Sequence, residues 1–156
     1  MRVVSNLIEA HIFRIVNNKM EFLLLKRSEK DIFPNVWQMV TGTIKKSEKA
    51  FNTAIREIKE ETCITPLKFW VVPNVNSFYN PNLDHVCMVP VFAAQVKNNC
   101  SVALSDEHTE FQWLQKEEAK KLLAWPGQRD SVDIIYNYFM NEKSFLKFVD
   151  ISENLI

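Results

Sequence analysis

The sequence has little of what several protein classes require. Among its 156 residues there are two glycines and three cysteines, and the 19 basic residues balance the 19 acidic ones. An odd number of cysteines without paired or metal-type spacing favours a reducing compartment over a disulfide framework. A formal charge of zero gives no general affinity for a nucleic acid polymer, so any nucleotide that binds is expected to be a small one.

Long apolar segments are also missing. No segment reaches the roughly 18 apolar residues that a membrane-spanning helix needs. Residues 1–11 have no apolar core before their first charge, so they do not resemble a secretory signal. The longest apolar stretch, residues 86–96, is interrupted by Pro90 and predicts a buried strand. We therefore expect a cytoplasmic protein with no membrane partner, folded as a single domain over residues 1–156.

Hydrophobic periodicity predicts a mixture of strands and helices. Residues 3–16 and 21–25 are rich in Val, Ile, Leu and Phe and flank the turn formers Asn17 and Asn18, which predicts a β-hairpin. The segment at 125–127, Trp-Pro-Gly, is expected to break the helical pattern. Further strands are predicted at 37–42, 67–72, 86–96 and 111–114, helices at 47–62, 117–123 and 130–140, and loops at 28–35 and 73–82.

One predicted helix concentrates acidic residues. If Ser47 caps a helix that ends near Thr62, its apolar residues recur at three- and four-residue steps, and Glu57, Glu60 and Glu61 share the other side. Neighbouring carboxylates repel one another, which opposes folding. A hard divalent cation such as Mg²⁺ relieves that repulsion because it takes oxygen ligands, so the spacing predicts a cation site.

The same segment resembles the signature of the Nudix hydrolases. That signature is Gly, five residues, Glu, seven residues, then Arg-Glu-aliphatic-any-Glu-Glu-any-Gly-aliphatic. Cys63 stands where the family has its second Gly. If this position ends the helix in a left-handed conformation, the Cβ of Cys63 costs about 1–2 kcal/mol of stability. Gly42 is expected to let the backbone turn tightly into the loop before the helix. The signature is met at Gly42, Glu48, Arg56, Glu57, Ile58, Glu60, Glu61 and Ile64.

The resemblance implies a fold, a reaction and a set of roles. The fold is of the mixed α/β (α+β) class, with a mixed β-sheet between α-helices. The reaction is hydrolysis of a nucleoside diphosphate linked to another group, with Mg²⁺ or Mn²⁺ as cofactor. Glu57, Glu60 and Glu61 are the implied metal ligands, and Arg56 with Glu48 is the implied ion pair that orients those carboxylates.

Other site residues are expected outside the signature. A further carboxylate often completes the family's site as ligand or general base. Glu107, just before the last expected strand, is the first candidate, and Asp106 and Glu110 are alternatives; the sequence does not assign the base. Lys26 and Arg27, at a strand end, are expected either to contact substrate phosphates or to be a solvated strand end.

The substrate is less closely defined. Segments 37–42 and 107–114 are similar to bacterial dihydroneopterin triphosphate pyrophosphohydrolases, also described as dATP pyrophosphohydrolases, which implies a small nucleoside or pterin triphosphate as partner. Trp37 and Gln38 are then expected to bind it, and a place in the core or the wall is the alternative for Trp37. His108 is expected at the surface or in packing, and contact with the substrate is its alternative. The alternatives are a Nudix hydrolase of a dinucleoside polyphosphate, a nucleotide sugar or an oxidised guanine nucleotide, and a non-catalytic Nudix binding module. Aromatic candidates for contact with the ring are Trp37, Phe78, Tyr79 and Trp125.

Overall fold

The protein folds as a mixed β-sheet covered by helices on both faces, which confirms the α+β class. The structure, a computed structural model, describes residues 1–155. The strands are β1 (Arg2–Val4), β2 (Leu7–Val16), β3 (Lys19–Arg27), β4 (Trp37–Gln38), β5 (Val40–Thr43), β6 (Lys68–Asn80), β7 (His85–Gln95) and β8 (His108–Gln115). The helices are α1 (Ala50–Thr62), α2 (Lys116–Leu122), α3 (Pro126–Met140) and α4 (Lys143–Leu146), followed by a 3₁₀ turn at Ser152–Asn154.

Strand pairing places β2 and β7 at the centre of the sheet. The path of paired neighbours is β1-β7-β2-β3-β4, while β5 also pairs with β2, β6 with β7 and β8 with β3. The expected hairpin joins β2 to β3, where Asn17 and Asn18 have φ angles of 50° and 63°. A turn with two left-handed residues matches the twist of an antiparallel pair, and Asn tolerates that conformation. Among residues 1–155 no helix is long and apolar enough to cross a membrane.

Alternation along β2 divides the interior into two cores. Successive side chains on a strand point to opposite faces. Ile8 and Ile12 therefore pack with Ile58 of α1 on one face. Phe13 packs with Val132 of α3 on the other face. The sheet thus holds α1 and α3 at fixed positions on opposite sides.

The expected loop at 73–82 is wrong. Strand β6 continues to Asn80, and Pro73 lies where its pairing with β7 shifts register, between Val71 and Val75. A proline is tolerated there because a bulge does not use its missing N–H. The tail after residue 140, for which the sequence predicted no structure, covers part of the outer edge of β6 through a bridge between Trp70 and Asp150.

Two helix starts also differ from the prediction. Pro126 occupies the first turn of α3, so the segment expected to break the helix begins it, because proline fits the first helical position. Helix α1 begins at Ala50 after Lys49, and Ser47 lies in the preceding turn with a φ of 65°. Neither difference changes which face of α1 carries the acidic residues.

The C-terminus of α1 has the expected left-handed residue. Cys63 has φ 60° and ψ 15°, and its N–H donates to the carbonyl of Lys59 at 2.9 Å. We expect Cys63→Gly to raise the free energy of unfolding by about 1 kcal/mol, because glycine adopts this conformation without a Cβ penalty. Urea unfolding measures the change. Cys63→Ala is the matched control, since it keeps the Cβ; an equal gain in that variant would contradict the explanation.

Candidate active site

Gly42 provides the space that the first acidic residue of the site needs. A Cβ at this position would lie 2.3 Å from Cγ and 2.8 Å from Oε1 of Glu57. No described glycine has a positive φ, so the expected tight turn is not what requires glycine here. Close approach of the Glu57 side chain to β5 is the reason.

Arg56 joins the loop before α1 to the acidic face of that helix. Its Nε and Nη2 donate to the two carboxylate oxygens of Glu48 at 2.9 and 3.0 Å, and its Nη1 donates to Oε1 of Glu57 at 2.7 Å. Hydrogen bonds from Arg56, and then from the Thr53 hydroxyl, lower the pKa of Glu48 to about 2. Glu48 and Glu57 in turn raise the pKa of Arg56. The Arg56–Glu48 pair stays charged at neutral pH, and the hydrogen bond from Arg56 fixes the orientation of Glu57.

Glu61 is a buried acid that forms no ion pair with any described residue. It is 2% exposed, and its Oε2 has no hydrogen-bond partner among the described residues. Burial, followed by the charges of Glu107 and Glu57, raises its pKa to about 9. Burial also raises the pKa of Glu57. At pH 7 the Glu61 carboxyl is therefore neutral unless a cation takes the place of its proton.

An open cavity of about 400 Å³ lies beside these acids. Carboxylates and an arginine share its wall, so it offers ligands for a cation and a donor for an anion. Ligand atoms of Glu61, Glu107 and His108 lie within 4.8 Å of one another. The cavity is lined by Arg27, Asp31, Gln38, Thr41, Gly42, Thr43, Ile44, Lys45, Glu57, Glu107 and His108.

The structure brings several of the expected site residues together. Arg27, Gln38, Glu57 and Glu107 line the cavity, and Glu61 adjoins Glu107. Glu107 lies in the turn before β8, where its carbonyl accepts a hydrogen bond from the N–H of Ser28 at 3.0 Å.

Three other expected site residues do not line the cavity. The side chain of Glu60 is 54% exposed, and its carboxylate accepts from Nη1 of Arg56 at 3.2 Å. Lys26 forms an ion pair with Glu110 at 2.9 Å. Trp37 is half-buried and packs against the core on the α3 side of the sheet.

Asp31 and His108 also line the cavity. Asp31 was not predicted as part of the site, and His108 was expected at the surface or in packing, with contact with the substrate as the alternative. Asp31 lies in the loop after β3, where no periodic pattern distinguishes one polar residue from another. His108 is 5% exposed, and its Nε2 lies 3.2 Å from Nε2 of Gln38. Burial, assisted by the charge of Arg27, lowers the pKa of His108 to about 4, so its ring is neutral at pH 7. Its position directly after Glu107 was the available signal.

A buried polar cluster lies next to the cavity, on the α3 side of the sheet. Glu9 is paired with the cavity residue Thr41 across β2 and β5. Oε1 of Glu9 accepts from the Asn76 amide at 3.0 Å, while its Oε2 and the Oε1 of Gln128 have no partner among the described residues. Burial raises the pKa of Glu9, and it lowers that of neighbouring His11 to about 3. A charged residue inside the apolar strand β2 was the sequence signal for this cluster.

Comparison with known proteins finds a matching domain family, related enzymes and similar solved structures. A NUDIX domain family model matches residues 6–133. The dihydroneopterin triphosphate diphosphatase of Haemophilus influenzae is 31% identical over 132 residues, covering 76% of this chain and 78% of that protein. An asymmetrical bis(5'-nucleosyl)-tetraphosphatase of Caenorhabditis elegans is 32% identical over 113 residues, covering 71% and 79%. A crystal structure of a C. elegans Ap4A hydrolase binary complex has a TM-score of 0.75 at 25% identity, covering 87% of this chain and 97% of that one. The matched residues 6–133 include every residue of the cavity wall.

Proposed function

The chain belongs to the NUDIX family and is a Nudix hydrolase, and we propose that it is a divalent-cation-dependent pyrophosphohydrolase of a dATP-like nucleoside triphosphate or dihydroneopterin triphosphate. The products are the monophosphate and pyrophosphate. The observation that supports this most strongly is the cavity in which Glu57 and Glu107, with Glu61 adjoining, face Arg27. A phosphate chain repels an anionic nucleophile, so a site for it needs this combination of cation ligands and a fixed positive charge.

The donor set fits a hard divalent cation. Glu57 and Glu61 of α1, together with Glu107, would hold Mg²⁺ or Mn²⁺, and Glu60, which is also on α1 but does not line the cavity, is kept as a fourth proposed ligand. The fit rests on Glu61, whose buried Oε2 has no partner among residues 1–155 and whose pKa is raised to about 9 by burial, so that a cation is needed to compensate its negative charge. When bound, the cation supplies stabilisation of charge on the phosphate oxygens and lowers the pKa of water.

The protein's own groups position the reactants. The Arg27 guanidinium lies close enough to Glu61 to oppose the rise in its pKa, and its buried Nε has no partner among the described residues. Its planar fork suits a phosphate oxygen pair. Glu107 is the exposed carboxylate of the cavity and is proposed as ligand or general base. Arg56 and Glu48 act by holding Glu57 in place.

The buried polar cluster supports a heterocyclic ring as part of the substrate. Glu9, Asn76 and Gln128 offer carboxyl and amide groups, which can match the alternating donors and acceptors of a nucleobase or pterin edge. Trp125, three residues before Gln128, is 38% exposed. Its ring contacts that of Phe33 edge to face, with the ring centroids 5.3 Å apart. Phe78 and Tyr79, which follow Asn76 on β6 and are 41% and 52% exposed, are the other aromatic candidates close to this cluster in sequence.

A second candidate function is asymmetrical cleavage of a dinucleoside tetraphosphate. The C. elegans relative that carries this name is 32% identical, and the Ap4A hydrolase structure superposes with a TM-score of 0.75.

The proposed cellular compartment is the same for both candidate functions. All three cysteines are free, which favours a reducing compartment, and we propose the cytoplasm.

A substrate panel tests the proposal. The protein is mixed with Mg²⁺ and, separately, dATP, other nucleoside triphosphates, dihydroneopterin triphosphate and diadenosine tetraphosphate, and ³¹P NMR identifies the products. We expect pyrophosphate from a triphosphate, with kcat/KM at least about tenfold above that for diadenosine tetraphosphate. Cleavage of diadenosine tetraphosphate to ATP and AMP, without pyrophosphate from any triphosphate, would establish the second candidate instead.

A further inference from the structure

A chain of hydrogen bonds crosses the cavity wall from Arg27 through Gln38 to His108. Nη1 of Arg27 donates to Oε1 of Gln38 at 3.1 Å, and Nε2 of Gln38 lies 3.2 Å from Nε2 of His108. Gln38 and His108 are 7% and 5% exposed, so water does not compete for these contacts. Each of the three residues therefore constrains the hydrogen-bonding groups of the next.

The polarity of this chain determines where the histidine carries its proton. Arginine has donors only, so Gln38 must present its oxygen to Arg27 and its NH₂ group to His108. Nε2 of His108 must then accept a hydrogen bond, and a neutral ring carries its proton on Nδ1. The opposite tautomer, or a doubly protonated ring, would place two donors face to face in a buried contact.

The assigned tautomer bears on the metal site. A ring nitrogen of His108 lies within 4.8 Å of carboxylate oxygens of Glu61 and Glu107, an arrangement that could be taken as a mixed metal site. A protonated Nδ1 has no lone pair for a metal, and Nε2 is occupied by Gln38. Nδ1 is buried and has no partner among residues 1–155. A buried donor without a partner is costly unless a ligand satisfies it.

We propose that His108 is a neutral hydrogen-bond donor, through Nδ1–H, to a phosphate oxygen of the substrate, and that Gln38 is the positioning residue that sets this tautomer. This assignment rests on the proposed function, because the acceptor is a phosphate. A donor without charge suits the site physically. It can contact the phosphate without adding a positive charge beside Arg27 and a bound divalent cation, which an imidazolium would do.

The tautomer is tested by long-range ¹H–¹⁵N NMR of the histidine rings, without any substrate. The chain has three histidines, and His108→Asn identifies the His108 signals. We expect a protonated Nδ1 in the wild type. In Gln38→Glu the carboxylate still pairs with Arg27 but can only accept, so the proton is expected to move to Nε2. A protonated Nε2 in the wild type would overturn the proposal.

The role of the donor is tested by three variants together. His108→Asn keeps an N–H near the Nδ1 position, whereas His108→Leu has a similar size and no donor. We expect Gln38→Glu and His108→Leu to lower kcat/KM by about 10- to 100-fold and His108→Asn to lower it less. Equal losses in the Asn and Leu variants would contradict a donor role.

Metal affinity separates a donor from a ligand. Mn²⁺ binding, measured by electron paramagnetic resonance, is expected to be the same in the wild type and His108→Leu. A loss of about tenfold or more in His108→Leu would show that His108 is a ligand and overturn the proposal. If the wild type cleaves no diphosphate compound, the proposed function fails, while the NMR result still decides the tautomer.

Discussion

Replacing Glu61 by Gln is expected to lower kcat by about three powers of ten, with no fall in the temperature of thermal unfolding. The loss follows because an amide cannot supply the negative charge that a cation ligand must have. Stability is expected to persist because burial keeps this carboxyl neutral when no cation is present, and Gln has nearly the same shape as the neutral acid. Steady-state kinetics and a thermal melt on the same preparations measure both effects.

A matched control distinguishes this effect from a general loss of negative charge. Glu117→Gln removes a carboxylate whose side chain is 70% exposed, on α2, away from the cavity. That variant is expected to keep wild-type kcat. If Glu61→Gln retained most of the activity, or if it lost activity only by unfolding, the role assigned to Glu61 would be wrong.

The second large effect is expected from Gly42→Ala, which should lower kcat/KM by about 100-fold. The new Cβ would lie 2.3 Å from Cγ of Glu57, so the side chain must leave its present position. Because Cγ is bonded directly to Cβ, close to the backbone, rotation of the terminal carboxylate alone does not relieve the contact. The metal concentration that gives half-maximal rate is therefore expected to rise, and a Mn²⁺ titration of activity measures it.

The other glycine of the chain supplies the comparison. A Cβ at Gly127 would lie 1.9 Å from Oδ1 of Asn76, in the polar cluster around Glu9. Gly127→Ala is therefore expected to raise KM for the triphosphate while leaving the metal requirement unchanged. If Gly42→Ala had wild-type kinetics, or if both variants changed the metal requirement equally, the reason given for Gly42 would be wrong.

The sequence could predict the acidic helix because its information is local. Glu57 and Glu61 are four residues apart, and a helix places such residues on one side whatever the rest of the chain does. The same holds for Asn17 and Asn18, whose turn chemistry fixes a hairpin. The resemblance to the Nudix signature, which rests on the spacing of residues 42–64, is confirmed by the NUDIX family match over residues 6–133.

Residues from distant segments could not be placed in the same way. Asp31, Gln38 and His108 meet at the cavity because β3 pairs with both β4 and β8, and no local pattern encodes those pairings. Lys26 and Arg27 were equivalent in the sequence. In the structure a register shift in β3 falls between them, Lys26 pairs with Glu110, and Arg27 lines the cavity.

The prediction was wrong at two prolines, where it expected a strand or a helix to be interrupted, and both errors have the same physical reason. Pro73 and Pro126 both lack the N–H of a regular element, but each occupies a position where that N–H has no partner to lose. One lies at an irregular part of a strand and the other in the first turn of a helix. Sequence patterns identify the residue that interrupts hydrogen bonding, but tertiary structure decides whether the element ends there.

Direct measurement of Mn²⁺ binding tests most closely whether the acids of α1 and Glu107 form a cation site. Electron paramagnetic resonance on the wild type and on the double variant Glu57→Gln, Glu61→Gln gives the affinity without any assumption about substrate. We expect saturable binding in the wild type and a loss of at least about tenfold in the double variant. Equal affinity in the two proteins, or no binding in either, would contradict the account.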